Sequence, residues 1–165
     1  MTENSDCLDR IRKFLTLRYG RAEINNKLGE GTDGAVWAVE GVLAAKAFHP
    51  NRFHQYINER DAYLRFAEFG VGNKLGRFSL PVMRGYDDRL MVVLMDLILA
   101  KPYILDFAKV KIDRPPEFSQ EVLRDMRRQG REDFGPNWPA VEALLADLES
   151  LQIYYLDPKN HNIVF

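Results

Sequence analysis

Cysteine is almost missing from the sequence, since Cys7 is the one cysteine among 165 residues. A single cysteine excludes an internal disulfide framework and a zinc site of paired cysteines, and it favours a reducing compartment. Long hydrophobic runs are also missing, because the longest, Leu90 to Ala100, is interrupted by Asp96 and falls short of the roughly 18 apolar residues that span a membrane. The polar, acidic segment from Met1 to Asp6 lacks the pattern of a secretory signal. These absences predict a cytoplasmic protein that does not insert into a membrane.

A surplus of either charge is lacking as well. Lysine and arginine number 23 against 24 aspartate and glutamate residues, which gives a formal net charge of −1. Nothing global therefore attracts nucleic acid or an anionic membrane, and any anion needs a local site. The apolar fraction of 46% is enough for a buried core, and the length fits one domain, residues 1–165. The composition predicts a globular protein without a nucleic-acid partner.

The hydrophobic pattern changes from strand-like in the first half of the chain to helical in the second. Ser5 is predicted to cap a first helix that stops at Gly20. A helix that opens at Pro50 and Asn51 is inserted among five predicted strands. The strands are Ile24–Leu28, Ala35–Val39, Val42–Phe48, Leu80–Gly85 and Leu90–Ile98, the second and third forming a hairpin around Glu40 and Gly41.

The second half is predicted to contain two helices and one segment without a clear pattern. The first helix is short, from Tyr103 to Val110, and the charged, proline-marked segment 113–137 follows it. Apolar residues at helical spacing then predict an amphipathic helix. They are Val141, Leu144, Leu145, Leu148 and Leu151.

Three glycines, Gly29, Gly31 and Gly34, have the spacing G-x-G-x-x-G. A dinucleotide-binding loop needs a helix directly after it, but the run from Ala35 to Gly41 favours a strand. A Walker loop needs lysine and then serine or threonine after its last glycine, and Ala35 and Val36 stand there instead. The remaining interpretation is a strand–loop–strand flap whose backbone amides approach phosphates closely.

Lys46 ends the run Leu43-Ala44-Ala45-Lys46 on the far arm of the predicted hairpin. Burying a lysine is costly unless an anion accompanies it, and nucleotide phosphates are such an anion. Glu59 on the following helix is the candidate that orients the lysine, with Asp61 as the less favoured alternative. Each feature also has a purely structural explanation: the glycines form turns, Lys46 reaches solvent, and Glu59 lies on a solvated helix face.

Asp157, Lys159 and Asn162 have the spacing D-x-K-x-x-N, directly after the amphipathic helix. Alone, this pattern is also typical of an Asp-Pro turn capped by asparagine, with Lys159 in solvent. Together with the glycine flap, Lys46 and Glu59, in this order, it resembles the protein kinase superfamily over residues 24–165. Lysine at the second position after the aspartate, here Lys159, is more similar to the pattern of the Ser/Thr kinases than to that of the small-molecule kinases.

The resemblance implies an α+β, protein kinase-like fold that binds ATP and Mg²⁺. Residues 1–23 would form an N-terminal helix, and residues 24–98 an N-lobe with a five-stranded antiparallel sheet and an αC-type helix. Residues 99–165 would form a reduced helical C-lobe that ends at the catalytic loop. The implied activity is transfer of the γ-phosphate of ATP to a Ser/Thr hydroxyl of a protein.

The resemblance also implies residue roles. Lys46, held by Glu59, would contact the ATP phosphates, Asp157 would accept the proton of the attacking hydroxyl, and Lys159 would stabilise the transferring phosphoryl group. Asn162 and Asp157 would hold magnesium. The remaining residues would bind ATP through the glycine flap or the adenine pocket and hinge: Gly29, Gly31, Gly34, Val36, Ala44, Met95, Asp96, Leu97 and Ile98.

The sequence departs from the family pattern in two places. Tyr155 and Leu156 stand where the family has His-Arg, so control by a phosphorylated activation loop is not expected. The sequence also ends three residues after Asn162, so the Asp-Phe-Gly motif expected there, with the main magnesium ligand, is missing. Three interpretations stay open: a minimal phosphotransferase, a pseudokinase-like module that binds a nucleotide or partner without transfer, and a C-terminally truncated chain.

Overall fold

The computed structural model describes residues 3–165. Met1 and Thr2, which belong to the segment predicted to lack the pattern of a secretory signal, lie outside the described residues. The helices are α1 (Glu3–Tyr19), α2 (Phe53–Glu68), α3 (Gln120–Phe134) and α4 (Trp138–Ser150), with a 3-10 helix at Gly135–Asn137. The strands of the first half are β1 (Ile24–Glu30), β2 (Gly34–Val39), β3 (Leu43–Phe48), β4 (Lys74–Leu75), β5 (Phe78–Ser79), β6 (Met83–Asp87) and β7 (Val92–Asp96). Those of the second half are β8 (Tyr103–Ile104), β9 (Val110–Ile112), β10 (Ile153–Tyr155) and β11 (Ile163–Val164).

The main sheet is antiparallel and has five strands in the order β1-β2-β3-β7-β6, which confirms the predicted five-stranded antiparallel sheet. Glu40 and Gly41 form the turn between β2 and β3 with φ values of 52° and 69°. Positive φ at both central positions is typical of the tight turns that connect hairpin strands. The β6 strand begins three residues later and ends two residues later than predicted. The turn after it is held by Asp87, which accepts hydrogen bonds from the amides of Arg89 and Leu90.

Helix α1 covers one face of this sheet. Cys7, Ile11 and Phe14 are buried against the side chains of Ala45 and Ala47 on β3. The helix already includes Glu3, so Ser5 lies inside it and the prediction that Ser5 caps it is wrong. Its predicted end is confirmed, since Gly20 follows with φ 77° and its amide donates to the Thr16 carbonyl.

The opposite face of the sheet packs against α2 and the second half of the chain. Tyr63 and Phe66 of α2 contact the ring of Phe107 edge-on, with centroids 5.5 and 5.2 Å apart. The ring of Tyr155 contacts Phe107 from the other side at 5.8 Å. Because these aromatic rings are all buried, the two halves of the chain share one hydrophobic core.

The predicted helix from Tyr103 to Val110 is wrong, because this segment contains β8 and the start of β9. The β8 strand pairs with β11 and with β5, and β9 pairs with β10. Strands of two or three residues are stabilised by such distant partners, which a local hydrophobic pattern does not reveal.

The charged segment 113–137 contains α3. Ser119 caps this helix by accepting a hydrogen bond from the Val122 amide. A Cβ atom at Gly130 would lie 2.1 Å from the Trp138 ring, so glycine allows α3 and α4 to pack closely. Within the described residues, no helix has the length and apolar character needed to cross a membrane.

Candidate functional site

A cavity of 640 Å³ lies between the main sheet, α2 and the second half of the chain. Every residue that the sequence assigned to ATP, catalysis or metal lines this cavity. These residues are Gly29, Gly31, Gly34, Val36, Ala44, Lys46, Glu59, Met95, Asp96, Leu97, Ile98, Asp157, Lys159 and Asn162. The fold therefore brings together side chains from both halves of the chain.

The glycine loop joins β1 to β2 above the cavity. The Gly31 amide donates to the Gly34 carbonyl, and the His49 amide donates to the Asp33 carbonyl, both at 2.9 Å. A Cβ atom at Gly34 would lie 2.2 Å from the Ala47 carbonyl oxygen, so this glycine is required by the close approach of β2 and β3. Cβ atoms at Gly29 and Gly31 would meet nothing within 4 Å. Packing within the protein therefore explains the third glycine and leaves open space at the first two.

Lys46 lies in the middle of a strand that is buried on both faces. Alternation along β3 directs Ala45 and Ala47 towards α1 and turns Lys46 towards the cavity. The Lys46 Nζ atom lies 2.6 Å from Glu59 Oε2 and 3.2 Å from Asp106 Oδ1. Burial alone would lower the pKa of Lys46, but the two carboxylates outweigh it and raise the pKa above its ordinary value. Lys46 is therefore a buried ammonium group with two carboxylate partners.

Glu59 is the most deeply buried carboxyl group of the cavity, with 1% of its surface exposed. Burial raises the pKa of Glu59 to about 7, although Lys46 pulls it in the opposite direction. The neighbouring Asn58 donates a 3.0 Å hydrogen bond to the Ala108 carbonyl, which fixes α2 against the segment after β8. Glu59 is the partner that the sequence predicted for Lys46, whereas Asp61 pairs with Arg60.

Asp106 is a cavity residue that the sequence did not predict. It follows β8 with φ 62°, in the left-handed region that non-glycine residues rarely adopt. The Tyr155 hydroxyl lies 2.9 Å from both the Leu105 and the Asp106 carbonyl oxygens and donates to this pair. Burial opposes ionisation, but Lys46 and the Ala108 amide lower the pKa of Asp106 below its ordinary value. Asp106 is thus an ionised carboxylate held beside Lys46.

Asp106 and Phe107 match the first two positions of the Asp-Phe-Gly motif, with Ala108 at the third. The resemblance to protein kinases predicts that motif after Asn162, where it follows the catalytic loop. Here the matching residues precede Asp157 in the chain and reach the cavity because β8 pairs with β11. The sequence signal for this carboxylate is the apolar pair Ile104 and Leu105 directly before Asp106 and Phe107.

Asp157 lies at the mouth of the cavity between two lysines. Its Oδ1 atom is 3.1 Å from Lys159 Nζ, and its Oδ2 atom is 2.9 Å from Lys109 Nζ. Partial burial raises the pKa of Asp157, but the two lysines together lower it below the ordinary value. The Asn162 side-chain amide donates to the Asp157 carbonyl at 3.3 Å and so ties together both ends of the D-x-K-x-x-N turn.

The inner end of the cavity is apolar. Val36, Ala44 and Met95 supply aliphatic surface from three adjacent strands. The Asp96 side chain accepts two hydrogen bonds from Arg84, at 2.7 and 2.8 Å, which directs its carboxylate towards β6. The cavity therefore combines an apolar slot with a charged mouth, which suits a ligand with a flat ring at one end and phosphates at the other.

The oxygen atoms at the charged end fit a magnesium ion only in part. Magnesium in nucleotide sites is held by one or two carboxylates together with substrate phosphates. Asp106 offers a carboxylate and Asn162 an amide oxygen, while both oxygens of Asp157 are engaged by lysines. Among residues 3–165, no group of three or more histidine, cysteine, aspartate or glutamate side chains could hold a metal alone. A cation here needs oxygen atoms from a bound phosphate.

Comparisons with known proteins find little similarity in sequence. No protein-family model matches the chain, and no curated protein matches it. Among solved structures, it is similar to APH(2″)-IIa in a ternary complex with streptomycin and ATP, at 18% sequence identity and a TM-score of 0.40. The match covers 83% of this chain and 43% of that chain, so the present chain spans less than half the length of the similar protein.

Proposed function

We propose that the chain binds ATP in this cavity and transfers its γ-phosphate to a Ser/Thr hydroxyl of a protein. The observation that carries the proposal is the meeting of two groups of charged residues in one cavity. Lys46, Glu59 and Asp106 form a buried ionic cluster, and the turn from Asp157 to Asn162 lies at the mouth of the same cavity. Titratable groups in a cavity whose pKa values are shifted by burial and by charged partners cluster at functional sites.

The proposed fold is that of a protein kinase-like domain over residues 1–165. Residues 24–98 form its N-lobe, and residues 99–165 form a reduced C-lobe, with α2 in the position of the αC-type helix. The Lys46–Glu59 pair and the flap of Gly29, Gly31 and Gly34 support this proposal. The order of Asp106 before Asp157 would make the second lobe a rearranged version of the family pattern.

Each cavity residue has a role in the proposal. Val36, Ala44 and Met95 enclose the adenine ring, and the backbone of Asp96 to Ile98 lies along its edge. The amides of the glycine loop and Lys46 bind the phosphates, with Glu59 holding the lysine in place.

The proposed transfer is a direct displacement at phosphorus. The acceptor hydroxyl oxygen forms a bond to the γ-phosphorus, the bond to the β,γ-bridging oxygen breaks, and ADP leaves with that oxygen. Asp157 receives the hydroxyl proton, and Lys159 neutralises charge on the phosphoryl group during transfer.

Asp106 and Asn162 would hold magnesium in this proposal, in place of the predicted pair of Asn162 and Asp157. When present, the ion would supply neutralisation of the negative charge on the phosphate oxygens. The protein residues would position it, since Tyr155 fixes the backbone of Asp106 and the Asp157 carbonyl orients the Asn162 amide.

The test is incubation of the protein with γ-labelled ATP, Mg²⁺ and a mixed protein acceptor. We expect label on serine or threonine, and we expect Asp157→Asn to lower the rate by about 10²- to 10⁴-fold, as for the loss of a general base. Ser150→Ala, on the exposed end of α4, serves as a control and keeps full activity. Equal labelling by the wild-type protein and Asp157→Asn would exclude the proposed role of Asp157.

A second candidate function is nucleotide binding without transfer. The observation that favours it is the engagement of both Asp157 oxygens by Lys109 and Lys159, which leaves neither oxygen without a cationic partner. In that case ATP raises the unfolding temperature while no acceptor is labelled. Ligand at about 100 times its dissociation constant adds roughly 2.7 kcal/mol to the free energy of unfolding.

A further inference from the structure

Lys109 is a cavity residue without a role in the proposed reaction. It lies between Phe107 and β9, on the segment that carries Asp106, and its Nζ atom is 2.9 Å from Asp157 Oδ2. Lys159 occupies the other oxygen of the same carboxylate at 3.1 Å. Two ammonium groups therefore share one carboxylate at the mouth of the cavity.

The two lysines lie on the solvent side of that carboxylate. The side chains of Lys109 and Lys159 are 53% and 52% exposed, whereas the Asp157 side chain is 18% exposed. A molecule that binds beside the Asp157 carboxylate therefore lies close to both ammonium groups. The acceptor in the proposed reaction is such a molecule.

The other carboxylates of the cavity have cationic partners of their own. Lys46 has two carboxylates of its own, Glu59 and Asp106, so these do not neutralise the outer lysines by direct contact. Asp33, a further carboxylate of the cavity, lies 3.7 Å from Arg52. Lys109 and Lys159 both form ion pairs with Asp157, so the two half-exposed ammonium groups share one carboxylate at the mouth.

We propose that Lys109 is a specificity-determining residue that selects acceptor segments in which the Ser/Thr hydroxyl is flanked by aspartate or glutamate. This inference rests on the proposed function. A carboxylate of the acceptor gives Lys109 a second partner, so the lysine turns away from Asp157 and frees the Oδ2 atom for the acceptor hydroxyl. An acceptor with arginine or lysine beside the hydroxyl meets like charge at both lysines and is rejected.

The experiment measures binding of three fluorescein-labelled peptides by fluorescence anisotropy. The peptides have equal length and one central serine, flanked by aspartate, alanine or arginine. Each is titrated with the protein in Mg²⁺ and a non-hydrolysable ATP analogue, at low ionic strength. The proteins are the wild type, Lys109→Gln, Lys109→Glu and Lys111→Glu, and the last is a matched control because Lys111 is an exposed lysine on the adjacent strand β9.

We expect the wild type to bind the aspartate peptide about tenfold more tightly than the arginine peptide, a difference of about 1.4 kcal/mol. Lys109→Gln removes most of this preference, Lys109→Glu reverses it, and Lys111→Glu retains it. We expect all four proteins to bind the ATP analogue equally well, as measured separately by thermal shift, because Lys109 has no role in the proposed binding of ATP.

Two results would overturn the inference while the proposed function stands. In the first, the wild type binds the ATP analogue but binds the three peptides equally well or not at all. In the second, the preference for the aspartate peptide persists in Lys109→Glu. Failure of the wild type to bind the analogue would instead reject the proposed function, and the inference with it.

Discussion

The Oδ1 atom of Asp106 lies 3.2 Å from Nζ of Lys46, although 60 positions separate the two residues in the chain. The contact joins the central strand of the main sheet to the segment after β8, across the floor of the cavity. It places a second carboxylate beside the buried Lys46–Glu59 pair, in the cavity that Asp157 also lines. A carboxylate in this position is what a phosphate-bound cation requires.

Asp106→Asn should remove the magnesium-dependent part of ATP binding. Asparagine keeps the size of the side chain but removes the charge that would bind the cation, so ATP affinity becomes nearly equal in Mg²⁺ and in EDTA. Isothermal titration calorimetry under both conditions measures this ratio. Asp113→Asn, at another position with positive φ, is the matched control because Asp113 pairs with Arg65 outside the cavity. An unchanged ratio in Asp106→Asn would remove Asp106 from the proposed metal site.

Substitution of two glycines of the loop should have different effects. Gly34→Ala places a methyl group 2.2 Å from the Ala47 carbonyl oxygen, so the free energy of unfolding should fall by about 1–3 kcal/mol or more. Gly29→Ala meets open space and should change it by less than about 0.5 kcal/mol, while it weakens ATP binding. Urea unfolding and ATP titration of both variants check this. Similar stability losses would argue against the close approach of β2 and β3.

Tyr155→Phe should loosen the backbone of Asp106. The variant keeps the ring that packs on Phe107 but loses the hydroxyl that donates to the Leu105 and Asp106 carbonyls. We expect a loss of about 1 kcal/mol in unfolding free energy, the usual contribution of one hydrogen bond. The magnesium concentration needed for half-maximal ATP binding should rise, which a merely structural role would not cause. Tyr154→Phe on the same strand is the control, and an equal magnesium response of both variants would contradict the positioning role.

Glu59 should make the stability of the protein depend on pH near neutrality. Its pKa is raised from 4.5 to about 7 in the folded protein, so the folded state binds this proton more tightly than the unfolded chain. The free energy of unfolding should therefore fall as the pH rises from about 4.5 to about 7, by about 1.4 kcal/mol per pH unit at most. In Glu59→Gln this fall should be absent, whereas Glu68→Gln, at an exposed position of the same helix, should retain it. Urea unfolding at a series of pH values provides the measurement, and parallel curves for the wild type and Glu59→Gln would contradict the assignment.

The first half of the fold was predictable because its signals are local. Alternation of apolar residues and the Glu40-Gly41 turn define the β2–β3 hairpin, and helical spacing defines α2. The Lys46–Glu59 contact was predictable for a related reason, since a lysine in a buried strand needs an anion and the following helix offers one.

The second half was less predictable because its strands depend on distant partners. The β8 strand has two residues, and its pairing with β11 connects Tyr103 to Val164. No local pattern distinguishes such a strand from a short helix, so the segment from Tyr103 to Val110 was predicted wrongly. The same error concealed the position of Asp106, because a helix in this segment gives no reason to expect its carboxylate beside Lys46.

The pairing of β8 with β11 also determines when the cavity is completed during protein synthesis. Segments that leave the ribosome first usually fold first, so the main sheet and Lys46 can be in place while residues 153–164 are still being added. Until then β9 lacks β10 as a partner, β8 lacks β11, and Tyr155 does not yet hold Asp106. Before residues 153–164 are added, a nascent chain therefore has the glycine loop and Lys46 but not Asp106 in its final position, and the cavity is complete only after β10 and β11 have docked.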